Sequence, residues 1–175
     1  MKKVSFYAVT AIAVVMGFSS CSNDDPAEPL NVNWNQTATV HGKVLIQDNF
    51  EPSGTPKWTT SSAVKFVATV PYSQLAPGAS GTYTVPSDKI TYNATSGEVT
   101  VEVPVSKNNI TALTLKVLAF EGEVTDYNGD DIDVIWGSKT KTTNALSPGE
   151  VAYLETFKYQ SSSDYTEVVK KGDEI

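Results

Sequence analysis

Glu98-Val99-Thr100-Val101-Glu102-Val103-Pro104-Val105 is the stretch on which the fold turns. Valine stands at every second position with Thr100 and Glu102 between, the period of an extended strand with one apolar and one wet face. Pro104 has no N–H to give to a ladder and marks a strand end or an edge. The same period recurs upstream. Ala38, Val40, Gly42, Val44 and Ile46 share one face of a first strand, with Thr39, His41 and Lys43 on the other. Val64, Phe66, Ala68 and Val70 point inward from a second, Lys65 and Thr69 point outward, and Pro71 ends it.

Working outward, Tyr72 to Asp88 reads as a polar stretch turning at Pro77-Gly78, and Ile90, Tyr92 and Ala94 read as a strand closed by a turn at Thr95-Ser96-Gly97. Downstream, Leu113, Leu115, Val117 and Ala119 alternate with a face that carries Lys116 but also Leu118 and Phe120. Ile132 to Lys141 reads as one strand with Val134 and Trp136 on one side. A last strand starting at Val151 places Val151, Tyr153, Phe157 and Tyr159 together. No long helical period interrupts these runs. About seven strands joined by turns predict an all-β, antiparallel two-sheet sandwich over residues 37–160, with a closed barrel as the other solution. Residues 161–175 read as a polar tail, free at the end or covering Leu118 and Phe120.

Three pieces, Thr37 to Val44, Ala63 to Val70 and Ser96 to Pro104, resemble the transthyretin-like (prealbumin-like) sandwich in their "x-V-x-G-x-V" opening strand and their glycine followed by alternating valines and proline. The resemblance covers about a third of the domain. It implies a fold and no activity, because such sandwiches carry many functions.

The start of the chain has a different character. Lys2 and Lys3 precede an apolar run from Val4 to Phe18, followed by Ser19, Ser20 and the sole cysteine, Cys21. A positive start, a short apolar centre and small residues before a cut are the parts of a secretory signal. The run is too short for a transmembrane helix, which needs ~20 apolar residues. Phe18-Ser19-Ser20-Cys21 resembles a bacterial lipobox in the relaxed form found in outer-membrane lipoproteins of the Bacteroidetes. That resemblance implies removal of residues 1–20, thioether diacylation of Cys21 and acylation of its new amine. Residues 21–36, with Asp24, Asp25, Glu28 and two prolines, read as an acidic flexible linker. Acidic residues just after the cysteine resemble the export signals of surface-displayed lipoproteins, which implies the outer face of the outer membrane, with the periplasmic face as the alternative.

Composition narrows the chemistry. Without residues 1–20 the chain keeps 11 lysines against 20 acidic residues, a net charge of −9. Such a surface repels nucleic acid. There is no arginine, the residue best suited to bidentate recognition of carboxylate or phosphate. One histidine, and a thiol consumed by lipid, leave little for acid–base or nucleophilic catalysis, so the expectation is not an enzyme. Paired carboxylates for glycoside hydrolysis are the form an enzyme would take, but Glu98 and Glu102 at strand spacing read as solvent-facing.

Two constellations stand out as candidate sites. Asp126, Asn128 and Asp130 match the first three oxygen positions of a calcium loop. The match fails afterwards, since Asp131 stands where the turn glycine belongs and Gly137 where the bidentate Glu belongs. Asn128-Gly129 also suits a plain turn between strands. Calcium is thus the one cofactor candidate. Trp34, Trp58 and Trp136, with Tyr72 and Tyr83, are aromatic candidates for stacking on sugars, and Trp58, set among polar residues, is the leading ligand-stacking residue. Together these features predict a lipid-anchored, non-enzymatic binding or adhesion protein of the cell envelope, its partners a membrane, through the anchor, and a glycan or another envelope protein. The alternative is a structural subunit or accessory protein of a surface fimbria.

Overall fold

The computed structural model describes residues 31–49, 55–106, 111–126, 128–160 and 164–169. The expected signal peptide, Cys21 and most of the expected linker lie outside them.

One strand serves as the spine. β1 (Thr37–Gln47) alternates as its sequence dictates, with Ala38, Val40, Val44 and Ile46 buried and Thr39, His41 and Lys43 partly exposed. Along one edge it pairs antiparallel with β6 (Glu98–Pro104) through Thr37 to Lys43, then with β2 (Trp58–Thr59) at Ile46 and Gln47. Along the other edge it is joined, in parallel, by β11 (Val151–Tyr153) and then by β12 (Phe157–Tyr159). β5 (Ile90–Asn93) extends the sheet beyond β6. The gap between β6 and β2 is closed by the turn that Gly97 allows. Gly97 sits at φ +73°, its carbonyl accepts the Val44 N–H at 2.8 Å, and an added Cβ would run into the Val44 carbonyl oxygen.

A second sheet, in the order β10 (Lys139–Thr142), β7 (Thr114–Val117), β3 (Phe66–Pro71), β4 (Thr82–Thr84), is antiparallel throughout. Its Ala68, Val70, Leu115 and Val117 are fully buried in the same core as Val40, Val99, Val101 and Val103 of the first sheet. Each such valine or leucine contributes ~1.5–3 kcal/mol on full burial. The all-β sandwich is therefore the architecture. A third sheet, β13 (Tyr165–Val169), β9 (Asp131–Trp136) and β8 (Phe120–Thr125), is antiparallel and closes over the end of β12. There Tyr159 meets Phe120 and Trp136 edge-on, at ring separations of 5.4 and 5.7 Å. Gly122 makes the close approach possible, because a Cβ there would lie 2.6 Å from Trp136 Nε1.

Several expectations change. The most consequential concerns the last strand. β1 pairs Thr39 with Val151 and His41 with Tyr153, but Val44 with Phe157. The later chain therefore holds one residue more than β1 between those pairings. An extra residue inverts which face every following side chain occupies. Phe157 and Tyr159 are fully buried, whereas Val151 is 52% and Tyr153 78% exposed, so the four do not share a face. The run from Ile132 to Lys141 is two strands in different sheets, broken at Gly137-Ser138. Phe120 starts β8 rather than lining the back of β7. The polar stretch after Pro71 holds a short helical turn, α1 (Tyr72–Leu75), then β4, and ends in a 3-10 turn at Ser87–Lys89. β13 lies within the residues read as a tail. The strands thus outnumber the seven expected, and the β1 pairing with β11 and β12 departs from an antiparallel rule.

Candidate functional site

The bulge that turns Phe157 inward leaves Tyr153 outside, and the register says what it stands beside. Tyr153 of β11 lies opposite His41 of β1, His41 opposite Thr100 of β6, and Thr100 opposite Thr91 of β5. Directly paired residues share a face, so these four form one row across four strands on the outer side of the first sheet. Neighbouring rows bring Val151, Thr39 and Glu102 to one side and Lys43, Glu98 and Asn93 to the other.

Geometry fixes the aromatic member. The Tyr153 ring stacks on the His41 imidazole with centroids 5.2 Å apart and planes at 23°. His41 Nδ1 shares a hydrogen bond with Thr100 Oγ1 at 3.1 Å, which holds the imidazole from its far side. Tyr153 is thereby supported on one face and, at 78% exposure, open on the other. Lys89 Nζ meets Glu102 Oε2 at 3.0 Å and so occupies one carboxylate of the face, while Glu98 accepts a hydrogen bond from the Ser96 hydroxyl at 3.3 Å.

Two grooves flank Tyr153. One, of about 430 Å³, opens over the sheet face between Tyr153, Lys43, Glu98 and Thr156. The other, of about 470 Å³, lies between β11 and β10, with Asn144, Thr142, Thr143 and Glu150 among its walls. β10 is the edge of the second sheet and β11 an edge of the first, so this groove is the open seam of the sandwich. Lys141 Nζ reaches Glu155 Oε2 across it at 3.1 Å. An exposed ring with hydroxyl, amide, ammonium and carboxylate groups around it suits a ligand with an apolar face and a hydroxylated rim.

The residues singled out from sequence fall elsewhere. Trp58 is half-buried, with Lys158 Nζ 5.4 Å from the ring centre. Trp136 is core. Trp34, Tyr83 and Tyr72 form a chain of tilted rings, and Lys89 Nζ lies 4.9 Å over Trp34. The aromatic set is therefore not one platform. Asp126 turns its carboxylate onto the backbone of its own loop, where Oδ1 accepts the N–H groups of Asn128 at 2.7 Å and Asp130 at 2.9 Å. Asp126, Asn128 and Asp130 thus form the turn of the β8–β9 hairpin. Among the described residues no group of three or more His, Cys, Asp or Glu side chains is arranged to hold a metal ion.

Sequence reasoning placed His41 on the polar face correctly but gave it no partner, and it missed Tyr153. The available signal was the broken period after Tyr153, where Leu154-Glu155-Thr156 interrupts a clean alternation. No helix among the described residues is long and apolar enough to cross a membrane. No protein-family model, curated protein or solved structure matches the chain.

Proposed function

We propose that this chain is a lipid-anchored, non-enzymatic binding protein of the bacterial outer membrane, and that it holds a glycan on the outer face of its first sheet. Tyr153 carries the binding half of the reading. A tyrosine 78% exposed on a short strand, backed by a histidine that is itself tied to Thr100, is a pre-organised surface for the apolar side of a sugar ring. Hydroxyl and amide groups in the adjoining rows suit sugar hydroxyls. The anchor half rests on Lys2, Lys3, the apolar run and Cys21, with the acidic linker favouring display at the cell surface. The scaffold reading that goes with it is a transthyretin-like sandwich of the kind carried by Bacteroidetes lipoproteins.

Affinity electrophoresis of the full chain through gels containing soluble polysaccharides tests the binding half. Retardation by at least one polymer is expected for the wild type and is lost in Tyr153→Ala, with the unfolding midpoint unchanged. Retardation equal in the two proteins removes Tyr153 from the site. For the anchor, the wild type is expected in the detergent phase after phase partitioning and Cys21→Ala in the aqueous phase. A Cys21→Ala chain still in detergent overturns it.

A further inference from the structure

The two grooves beside Tyr153 bear on what kind of glycan the face takes, an inference that rests on the reading just given. They share Tyr153 and Leu154 as a common wall, so Tyr153 is a ridge between them rather than the floor of one pocket. The groove over the sheet face runs from Tyr153 past His41 to Lys43, Glu98 and Thr156. The seam groove continues in the opposite direction, between the two sheet edges, with Asn144 and Lys141 in its wall. Neither groove is enclosed, so neither grips the end of a chain. A ligand that stacks on the exposed Tyr153 ring and also makes polar contacts must pass over the ridge and enter both.

We infer that the site takes the interior of a linear oligosaccharide, at least three sugar units long, with its central unit on Tyr153 and its neighbours in the two grooves. Monosaccharides and chain termini lack the second and third contacts and bind weakly. The seam groove is then a distal subsite whose removal matters only to ligands long enough to reach it.

Isothermal titration of the full chain in detergent tests this, using oligosaccharides of one to six units from whichever of α-glucan, β-glucan, mannan, xylan or galactan retards the protein. Affinity is expected to rise at least tenfold from the disaccharide to the tetrasaccharide and then level off. The double variant Lys141→Ala/Asn144→Ala is expected to lose that gain, its tetrasaccharide affinity falling to within twofold of the wild-type disaccharide affinity. Asn144 is exposed and Lys141 partly so, its ammonium 5.7 Å from the Phe157 ring centre, and a thermal melt of the variant checks its fold. Equal affinity for mono- and tetrasaccharide, or an unchanged length dependence in the double variant, overturns the inference and leaves glycan binding at Tyr153 standing. Retardation by none of the polymers overturns the proposed function and this inference with it.

Discussion

Replacing Tyr159 by phenylalanine is expected to stabilise the protein. Tyr159 is fully buried, and its hydroxyl has no hydrogen-bond partner among the described residues. Its ring, by contrast, is well used, edge-on to Phe120 and Trp136 and with Lys139 Nζ 4.9 Å over its face. Tyr159→Phe keeps every ring contact and removes only the group that lost water without replacement. An unsatisfied buried hydroxyl costs ~1–3 kcal/mol, and the small void left behind takes part of that back, so a net gain of ~1 kcal/mol is expected. For a domain of this size that is ~3 °C in Tm. A second readout follows from titration. Burial, and then the negative charge of Asp164, hold the Tyr159 phenol above its ordinary value of 10.0, while the Lys139 backbone lies close enough to favour the phenolate slightly without completing a hydrogen bond. The folded state therefore prefers the neutral phenol. Its contribution is complete below about pH 10, where the unfolded chain is also neutral. Above that the unfolded chain ionises first, and stability falls by up to ~1.4 kcal/mol per pH unit for this one group. Urea unfolding followed by tryptophan fluorescence at pH 8 and pH 11 measures both effects. Tyr159→Phe should be the more stable protein at pH 8 and should lose less on going to pH 11. Some loss remains, because burial raises Tyr92 as well. A variant less stable than wild type at pH 8, or one with the same alkaline loss, would refute the description of this hydroxyl as buried and unpaired.

Gly97→Ala should be severely destabilising, by ~3 kcal/mol or more, since it combines a positive φ with a collision against the Val44 carbonyl, and a drop in Tm near 10 °C is the readout. Gly122→Ala should cost ~1–3 kcal/mol by pushing the Trp136 indole off β8, with a red shift of tryptophan emission as the signature. Asp164→Ala removes the partner of Lys139 (2.9 Å) and the oxygen that accepts the Gln160 N–H at 2.6 Å. Both side chains are partly exposed, so denaturant melts should show a loss of only ~1 kcal/mol, smaller at high salt. Tyr153→Ala should leave the melting temperature within about 1 °C, because so exposed a ring contributes little to the fold.

How far the sequence reached differs from element to element. Local periodicity was enough for β1, β3 and β6, whose burial follows the alternation written in Ala38 to Ile46, Ala68 to Val70 and Val99 to Val103, because a strand with one buried face must repeat every two residues. It was enough too for the turn at Thr95-Ser96-Gly97, where Gly97 takes a positive φ.

Tertiary structure decided the rest. β4 and β8 are weakly patterned, and they become strands only because β3 and β9 offer them a ladder. Trp58 and Trp136 look alike as aromatic residues, yet one lies half-buried beneath Lys158 and the other is sealed against Tyr159, a difference set by which sheet covers them. Above all, whether Tyr153 points into the core or out of it depends on one residue inserted opposite β1. Strand register is a relation between two segments more than a hundred residues apart, and no stretch of sequence contains it by itself. The chain alone determined that this protein is a sandwich of strands, and the pairing of β1 with β11 and β12 determined which of its aromatic rings faces outward.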